Sequence, residues 1–214
     1  MPATASRAEK GLYEAARQFV ERGLVQDDSL FTPGRSIWTP AGLDEFHDRY
    51  VVHGDEGDDP FDVKLTGQLE GADDRVVQLA AELLYVHFLA PKITSAEKKL
   101  EHIDAALSLL DDPVEVPEGL KEALEAGVSN FGVARNNRYH LVRVLLEFAR
   151  SVKELPRARR EEVLQDPWRF KKMLLEEDLH RARAQAEALM HIVHPESFEP
   201  IISRKAKEQI VDAW

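Results

Sequence analysis

The 214-residue chain contains no cysteine. This absence excludes disulfide bonds, thiolate zinc sites and cysteine nucleophiles, and it is typical of a protein from a reducing compartment. The N-terminus lacks the apolar core of a signal peptide, and no run approaches the roughly 18 apolar residues of a membrane span. We therefore expect a cytoplasmic protein with no membrane contact.

The motifs that bind nucleotides or activate a serine are also absent. The sequence contains neither a Gly-x-x-x-x-Gly-Lys-Ser/Thr loop nor Gly-x-Gly-x-x-Gly, and it contains no Gly-x-Ser-x-Gly turn. A phosphate cradle needs glycines where backbone N–H groups converge, so this chain alone should not hydrolyse nucleotides. We predict a non-catalytic protein without a cofactor.

Helical periodicity dominates what is present. Ser6 and Glu9 form a predicted capping box, and Thr39-Pro40 and Asp166-Pro167 each read as an N-cap followed by a first helical residue. The segment 73–91 is the most apolar predicted helix and should lie at the centre of the fold. We predict an all-α chain of about nine or ten helices in a single domain, with no significant sheet.

Two histidines near the C-terminus, His191 and His194, share one face of a predicted helix that Pro195 ends. Imidazole at this spacing suits zinc, but a zinc site would need further ligands. The simpler interpretation places both rings in a last helical turn, where cations suit the helix dipole. The acidic loop "GDEGDDPFD" lacks the EF-hand spacing, so we interpret it as a solvated loop rather than a calcium site.

A basic stretch crosses residues 150–172, although the formal net charge of the whole chain is −11. Trp168 and Phe170 lie within it. The simpler interpretation is a solvated face whose aromatic side chains pack inward; the functional one is a surface for phosphate or for an acidic partner. The candidate contacts are Arg157, Arg159, Arg160, Arg169, Lys171 and Lys172.

Three more candidate contacts, Arg204, Lys205 and Lys207, follow Ser203, the predicted N-cap of a terminal helix. Positive charge in a first turn opposes the helix dipole at a cost of roughly 0.3–1 kcal/mol per exposed charge. Either the acidic body of this protein or an anion on a partner should offset that cost. Phe198 and Ile201-Ile202 should anchor the connector to the core.

Several stretches together resemble the N-terminal region of bacterial McrB-like AAA+ proteins, which act in 5-methylcytosine-specific restriction. They are "DDSLFTPGRSIWT", "KLTGQL", "QLAAELLYVHFL", "GVSNFGVARNN" before "LLEFAR", "LPRARREEVLQDPWRFK" and "LMHIVHPESFEPIISRKAKEQIV". The similarity runs from about Asp27 to the C-terminus. The segment "HPESFEPIISRKAKEQI" is its most specific part, and in that family it commonly precedes the AAA+ module.

The resemblance implies a recognition or adaptor role in a system that defends against foreign DNA. Residues 1–202 would form the helical domain, and residues 203–214 would lead to an AAA+ module that this chain lacks. The expected partner is either DNA or a protein of the system, a restriction-system subunit or AAA+ motor; the alternative is a helical adaptor that contacts protein only. Because no Walker motif is present, no nucleotide-binding residue carries over from the family.

Overall fold

The computed structural model describes residues 6–55, 57–203, 207 and 209. Within these residues the fold is all-α, with two isolated β-bridges, Asp28 to Ser36 and Pro91 to Ser129, and no strand. The described part of the chain contains ten α-helices: α1 (Arg7–Gln18), α2 (Pro40–His47), α3 (Phe61–Leu69), α4 (Asp74–Phe88), α5 (Ala96–Leu107), α6 (Glu118–Ala123), α7 (Arg138–Glu154), α8 (Arg157–Gln165), α9 (Pro167–Leu175) and α10 (Arg183–Val193). The predicted fold class is confirmed.

Local capping signals start several of these helices. The capping box of α1 is formed, because the Ser6 hydroxyl accepts from the Glu9 N–H and the Glu9 carboxylate accepts from the Ser6 N–H. Thr39 caps α2 and Asp166 caps α9 through their side chains. The ends of α1 and α2 continue as π-helices, Phe19–Val25 and Asp48–Val52.

Helix α4 is the central element, as predicted. Every residue from Val76 to Phe88 is buried, so all sides of this helix are covered. It packs against α2, α5 and α7, and α1 packs against α6 and α10 on another side of the body. The core is continuous from Leu12 to Ile192, which fits a single helical domain.

Three predicted details differ from the structure. The sequence pattern predicts that Pro156 breaks the preceding helix and that no further helix begins before Asp166, but α8 forms there. It also predicts a loop over residues 128–137, which contains a 3₁₀-helix, Gly132–Asn137. The stretch expected to continue as one helix from Pro167 is divided into α9 and α10. Arg181 adopts a left-handed conformation (φ 56°) between them, and the Asp178 carboxylate accepts from the His180 N–H, which closes a turn.

Candidate interaction surface

The predicted basic stretch does not form one continuous surface. Arg160 is buried, and its guanidinium donates to Asp27 Oδ1 (2.9 Å) and to the carbonyl oxygens of Leu155 and Lys153 (both 2.9 Å). Lys153 is also buried, and its ammonium donates to Asp27 Oδ1 (2.6 Å) and to the carbonyls of Gly23 (2.5 Å) and Leu24 (2.7 Å). Both residues therefore hold elements together and do not face a partner.

Asp27 is the centre of this internal cluster, which joins the end of the first π-helix to α7 and α8. Its backbone is left-handed (φ 61°), so the chain reverses here and presents the carboxylate to both cations. Burial lowers the pKa of Lys153 to about 8, while the hydrogen bond to Asp27 opposes that shift. The cluster supplies hydrogen-bond donors to carbonyl oxygens at the C-terminal ends of the first π-helix and α7, where intrahelical donors are lacking.

We expect Lys153→Met to lower the free energy of unfolding by about 3 kcal/mol, because it leaves a carboxylate and two carbonyl oxygens without their shared donor. Urea unfolding followed by circular dichroism measures the change. Lys10→Met, at an exposed position of α1, removes one positive charge without a buried contact and is the matched control. Equal stabilities of the two variants would contradict this structural role.

Two further candidates, Arg159 and Arg169, are exposed but paired. Both guanidiniums contact the carboxylate of Glu162, one from within α8 and the other from α9. Such exposed pairs contribute little to stability, but each one reduces the positive charge offered to an external anion.

Arg157, Lys171 and Lys172 form no ion pair with the described residues. Lys171 lies over the ring of Trp168 (5.5 Å to the centroid) and over the ring of Phe198 (5.8 Å). Trp168 is 64% exposed and meets Phe198 edge-on at 5.6 Å, whereas Phe170 is fully buried against Phe148. The inward packing expected of both aromatic residues therefore holds for Phe170 and fails for Trp168.

We call the patch formed by Trp168, Lys171, Lys172 and Phe198 the Trp168 surface. It joins one face of α9, where residues three and four apart are neighbours, to the connector that follows α10. Phe198 and Ile202 pack against the core, as expected of anchors. The predicted functional chemistry is thus concentrated on α9 and this connector.

The terminal basic turn is only partly described, since Arg204 and Lys205 lie outside the described residues. The Lys207 N–H donates to the Ser203 carbonyl (3.1 Å), which is the spacing of a helical turn. The Lys207 ammonium contacts Glu187, a buried residue of α10 that also pairs with Arg183 (3.2 Å). At Lys207, therefore, the acidic body of this protein offsets the positive charge.

The two C-terminal histidines are used within the fold. His191 Nδ1 donates to the Phe198 carbonyl (2.7 Å), and Nε2 shares a hydrogen bond with the Tyr13 hydroxyl (3.0 Å). The His194 ring packs against Phe170 at 5.1 Å between ring centroids, and burial lowers its pKa. The protonated imidazole that was expected to interact favourably with the helix dipole is therefore disfavoured at this residue. His191 instead ties the connector to α1.

No group of three or more histidine and acidic side chains in the described residues is arranged to hold a metal ion. In the acidic loop, the Asp55 carboxylate accepts from the Gly57 N–H (2.7 Å), and Asp62 pairs with His102 (2.7 Å between Oδ2 and Nδ1). Glu56 lies outside the described residues.

A groove of about 600 Å³ opens between α1, α8 and the end of α10. Val20, Leu164 and Ile192 contribute apolar side chains to it, and Arg17 and Glu21 pair with each other at its edge. Pockets of this size and character hold small molecules or peptide side chains in other proteins. Its lining also includes the polar side chains of Gln26, Glu161 and Gln165, and the buried Nε2 of His194 has no hydrogen-bond partner among the described residues.

The polar cluster around Glu82 was not predicted from the sequence. Glu82 of α4 is inaccessible to solvent, and burial raises the pKa of its carboxyl group while the hydrogen bonds to it act in the opposite direction. Its carboxylate accepts from Ser29 Oγ (2.5 Å), Leu30 N (2.9 Å), Phe31 N (3.3 Å), Trp38 Nε1 (2.6 Å) and Gln78 Nε2 (2.9 Å). This cluster fastens the connector between α1 and α2 to the central helix.

No helix in the described part of the chain combines the length and apolar character that crossing a bilayer requires. A scan against protein-family models, a search of curated proteins and a search of solved structures each returned no match to this chain. Function must therefore be inferred from the surface and the buried clusters described above.

Proposed function

We propose that the protein is a non-catalytic, cytoplasmic recognition or adaptor domain of a McrB-like AAA+ restriction system. It would bind DNA or a subunit of that system. The observation that carries the proposal is the Trp168 surface, where an exposed tryptophan and two lysines without an ion pair among the described residues adjoin the connector at Phe198. In the family that the sequence resembles, this connector leads to the motor.

The chemistry of the surface suits a binding role. Lysines without a local counter-ion attract phosphate or carboxylate groups, and an exposed indole ring stacks on bases or fills a partner's pocket. The buried polar clusters around Glu82 and Asp27 consist of donors and acceptors that join helices to connectors. A recognition domain needs such a rigid body to hold its surface in place.

Binding of labelled DNA duplexes, unmodified and cytosine-methylated, tests the DNA role by fluorescence anisotropy at about 50 and 200 mM salt. If Arg157, Lys171 and Lys172 each neutralise one phosphate, the affinity should fall about 40-fold between the two salt concentrations. Lys171→Glu with Lys172→Glu should abolish binding. Lys10→Glu, an exposed cation on α1, is the control for a reversal of charge.

A second candidate function, a protein-only adaptor, is supported by the fate of the other basic residues. Carboxylates of this chain already contact Arg159, Arg160, Arg169 and Lys207, and the formal net charge of −11 opposes the approach of DNA. Absence of DNA binding at both salt concentrations would support this candidate. Binding that persists in the Lys171→Glu, Lys172→Glu variant would show that DNA uses another surface.

A further inference from the structure

Side chains of the Trp168 surface contact one another within the chain. Trp168 contacts Phe198 edge-on, and the Lys171 ammonium lies within 5.8 Å of both ring centroids. An exposed tryptophan that is already ordered loses little side-chain entropy on binding, and tryptophan is enriched among the residues that dominate interface energies. The surface is therefore suited to an occupant with negative charge and flat apolar groups.

The same chain carries a segment with that chemistry between α5 and α6. Asp111, Asp112 and Glu115 are exposed, and none of them forms an ion pair with the described residues. The segment 113–117 is neither helix nor strand, and Pro113 and Pro117 restrict its backbone. Pro117 has the φ and ψ (−57°, 144°) of a polyproline II conformation.

Packing below this acidic segment keeps it extended. Val116 is buried, so the segment is anchored while its carboxylates project into solvent. Burial raises the pKa of the neighbouring Asp104 carboxyl group; the positive charge of Lys121 opposes this shift, and the negative charge of Glu115 adds to it. A cation on a partner would interact favourably with the three exposed carboxylates of the segment. Proline rings in extended segments also pack well on aromatic surfaces.

We propose that the Trp168 surface binds the acidic segment Asp111–Glu115 of a second copy of this chain. Lys171 and Lys172 would meet Asp111, Asp112 and Glu115, and the Trp168 and Phe198 rings would pack against Pro113. The two half-sites lie on different elements, α9 with the connector and the link between α5 and α6. Each contact therefore leaves one unused half-site on each copy, and the assembly is head-to-tail.

Sedimentation velocity over a concentration series, without DNA, tests this contact. We expect the average mass of the wild-type protein to rise with concentration. Trp168→Ala and Lys171→Glu should each weaken association about tenfold or more, as expected for a central tryptophan and a desolvated charge. Ile93→Ala is the matched control, because Ile93 is also 64% exposed but lies outside both half-sites.

Mixing two variants gives the decisive comparison. Trp168→Ala retains the acidic segment, and the double variant Asp111→Lys, Asp112→Lys retains the Trp168 surface. Because Trp168→Ala keeps Lys171 and Lys172, its altered surface gains no attraction for the lysines of the double variant. Each variant alone should associate at least about tenfold more weakly than the wild-type protein, whereas an equimolar mixture should form a dimer that grows no further. A wild-type protein that stays monomeric, or a mixture that does not associate, would overturn the proposal.

The contact between copies uses the same surface as the proposed function, but the two proposals can fail separately. DNA binding that depends on Lys171 and Lys172 without any self-association would retain the DNA role and reject the contact between copies. Association that survives both Trp168→Ala and the Asp111→Lys, Asp112→Lys variant would place the interface elsewhere and would also reject it.

Discussion

Glu82→Ala should lower the free energy of unfolding by at least about 3 kcal/mol, because it removes one acceptor from five buried donors. The donors belong to Ser29, the backbone of Leu30 and Phe31, Trp38 and Gln78, and all lie in or beside the connector that packs on α4. Truncation also leaves a cavity beside the Trp38 ring, whose cost adds to the loss of hydrogen bonds.

Glu82→Gln separates the hydrogen bonds from the cavity. The amide keeps the volume of the side chain, but its NH₂ group would face N–H or O–H donors on whichever side it lies. We expect Glu82→Gln to avoid the cost of the cavity and still to unfold at a lower urea concentration than the wild-type protein. Glu97→Gln, at an exposed position of α5, provides the control, and equal effects at both positions would contradict the interpretation of the cluster.

The helices that sequence reasoning located correctly are those with local signals. Ser6, Thr39, Ser95 and Asp166 cap the helices that follow them, and each cap acts within three residues along the chain. The apolar pattern of α4 also reports its central position, because burial on every side requires apolar residues on every side. These features depend on neighbours in sequence and can be predicted from it.

The polar clusters depend on contacts between distant segments, and sequence reasoning did not find them. Glu82 meets Trp38, which is 44 residues away, and Lys153 meets Asp27, which is 126 residues away. The only signal for Glu82 was a carboxylate within the most apolar helix. Arg160 and Lys153 carried no signal that distinguished them from their exposed neighbours on the basic stretch.

The charge composition of the sequence located the candidate surface, but it did not show which of its residues are exposed to a partner. The stretch contains exposed, paired and buried cations. Which of these environments each cation occupies depends on how α8 and α9 are oriented on either side of Asp166. Trp168 and Phe170 are two residues apart, so the helix directs one outward and the other into the core. Only the orientation of α9 decides which of them is available to a partner.

His87→Gln should make the stability of the protein less sensitive to acid, although it weakens the protein at neutral pH. His87 is buried in α4, and its Nδ1 donates to Gln185 Oε1 (2.7 Å). Burial lowers the pKa of His87 to about 3, and the positive charges of Arg138 and Lys99 act in the same direction. The hydrogen bond to Gln185 opposes this shift but does not overcome it.

The sign of the effect follows from proton binding. Between the folded pKa of about 3 and the unfolded pKa of about 6.5, the unfolded chain binds a proton at this histidine and the folded chain does not. The free energy of unfolding therefore falls as the pH falls through this window, by up to about 1.4 kcal/mol per pH unit from His87 alone. Above about pH 7 this contribution to the pH dependence vanishes.

Urea unfolding at pH 7.5, 6.0 and 5.0 measures the difference between the wild-type protein and His87→Gln. The wild-type free energy of unfolding should decline over this range by about 2 kcal/mol more than that of the variant, since most of the interval lies below the unfolded pKa. The same substitution at His53, an exposed residue, controls for the loss of a histidine. Parallel pH profiles for the wild-type protein and His87→Gln would mean that His87 takes up its proton in the folded state. That result would contradict the interpretation of His87 as a buried, neutral ring between α4 and α10.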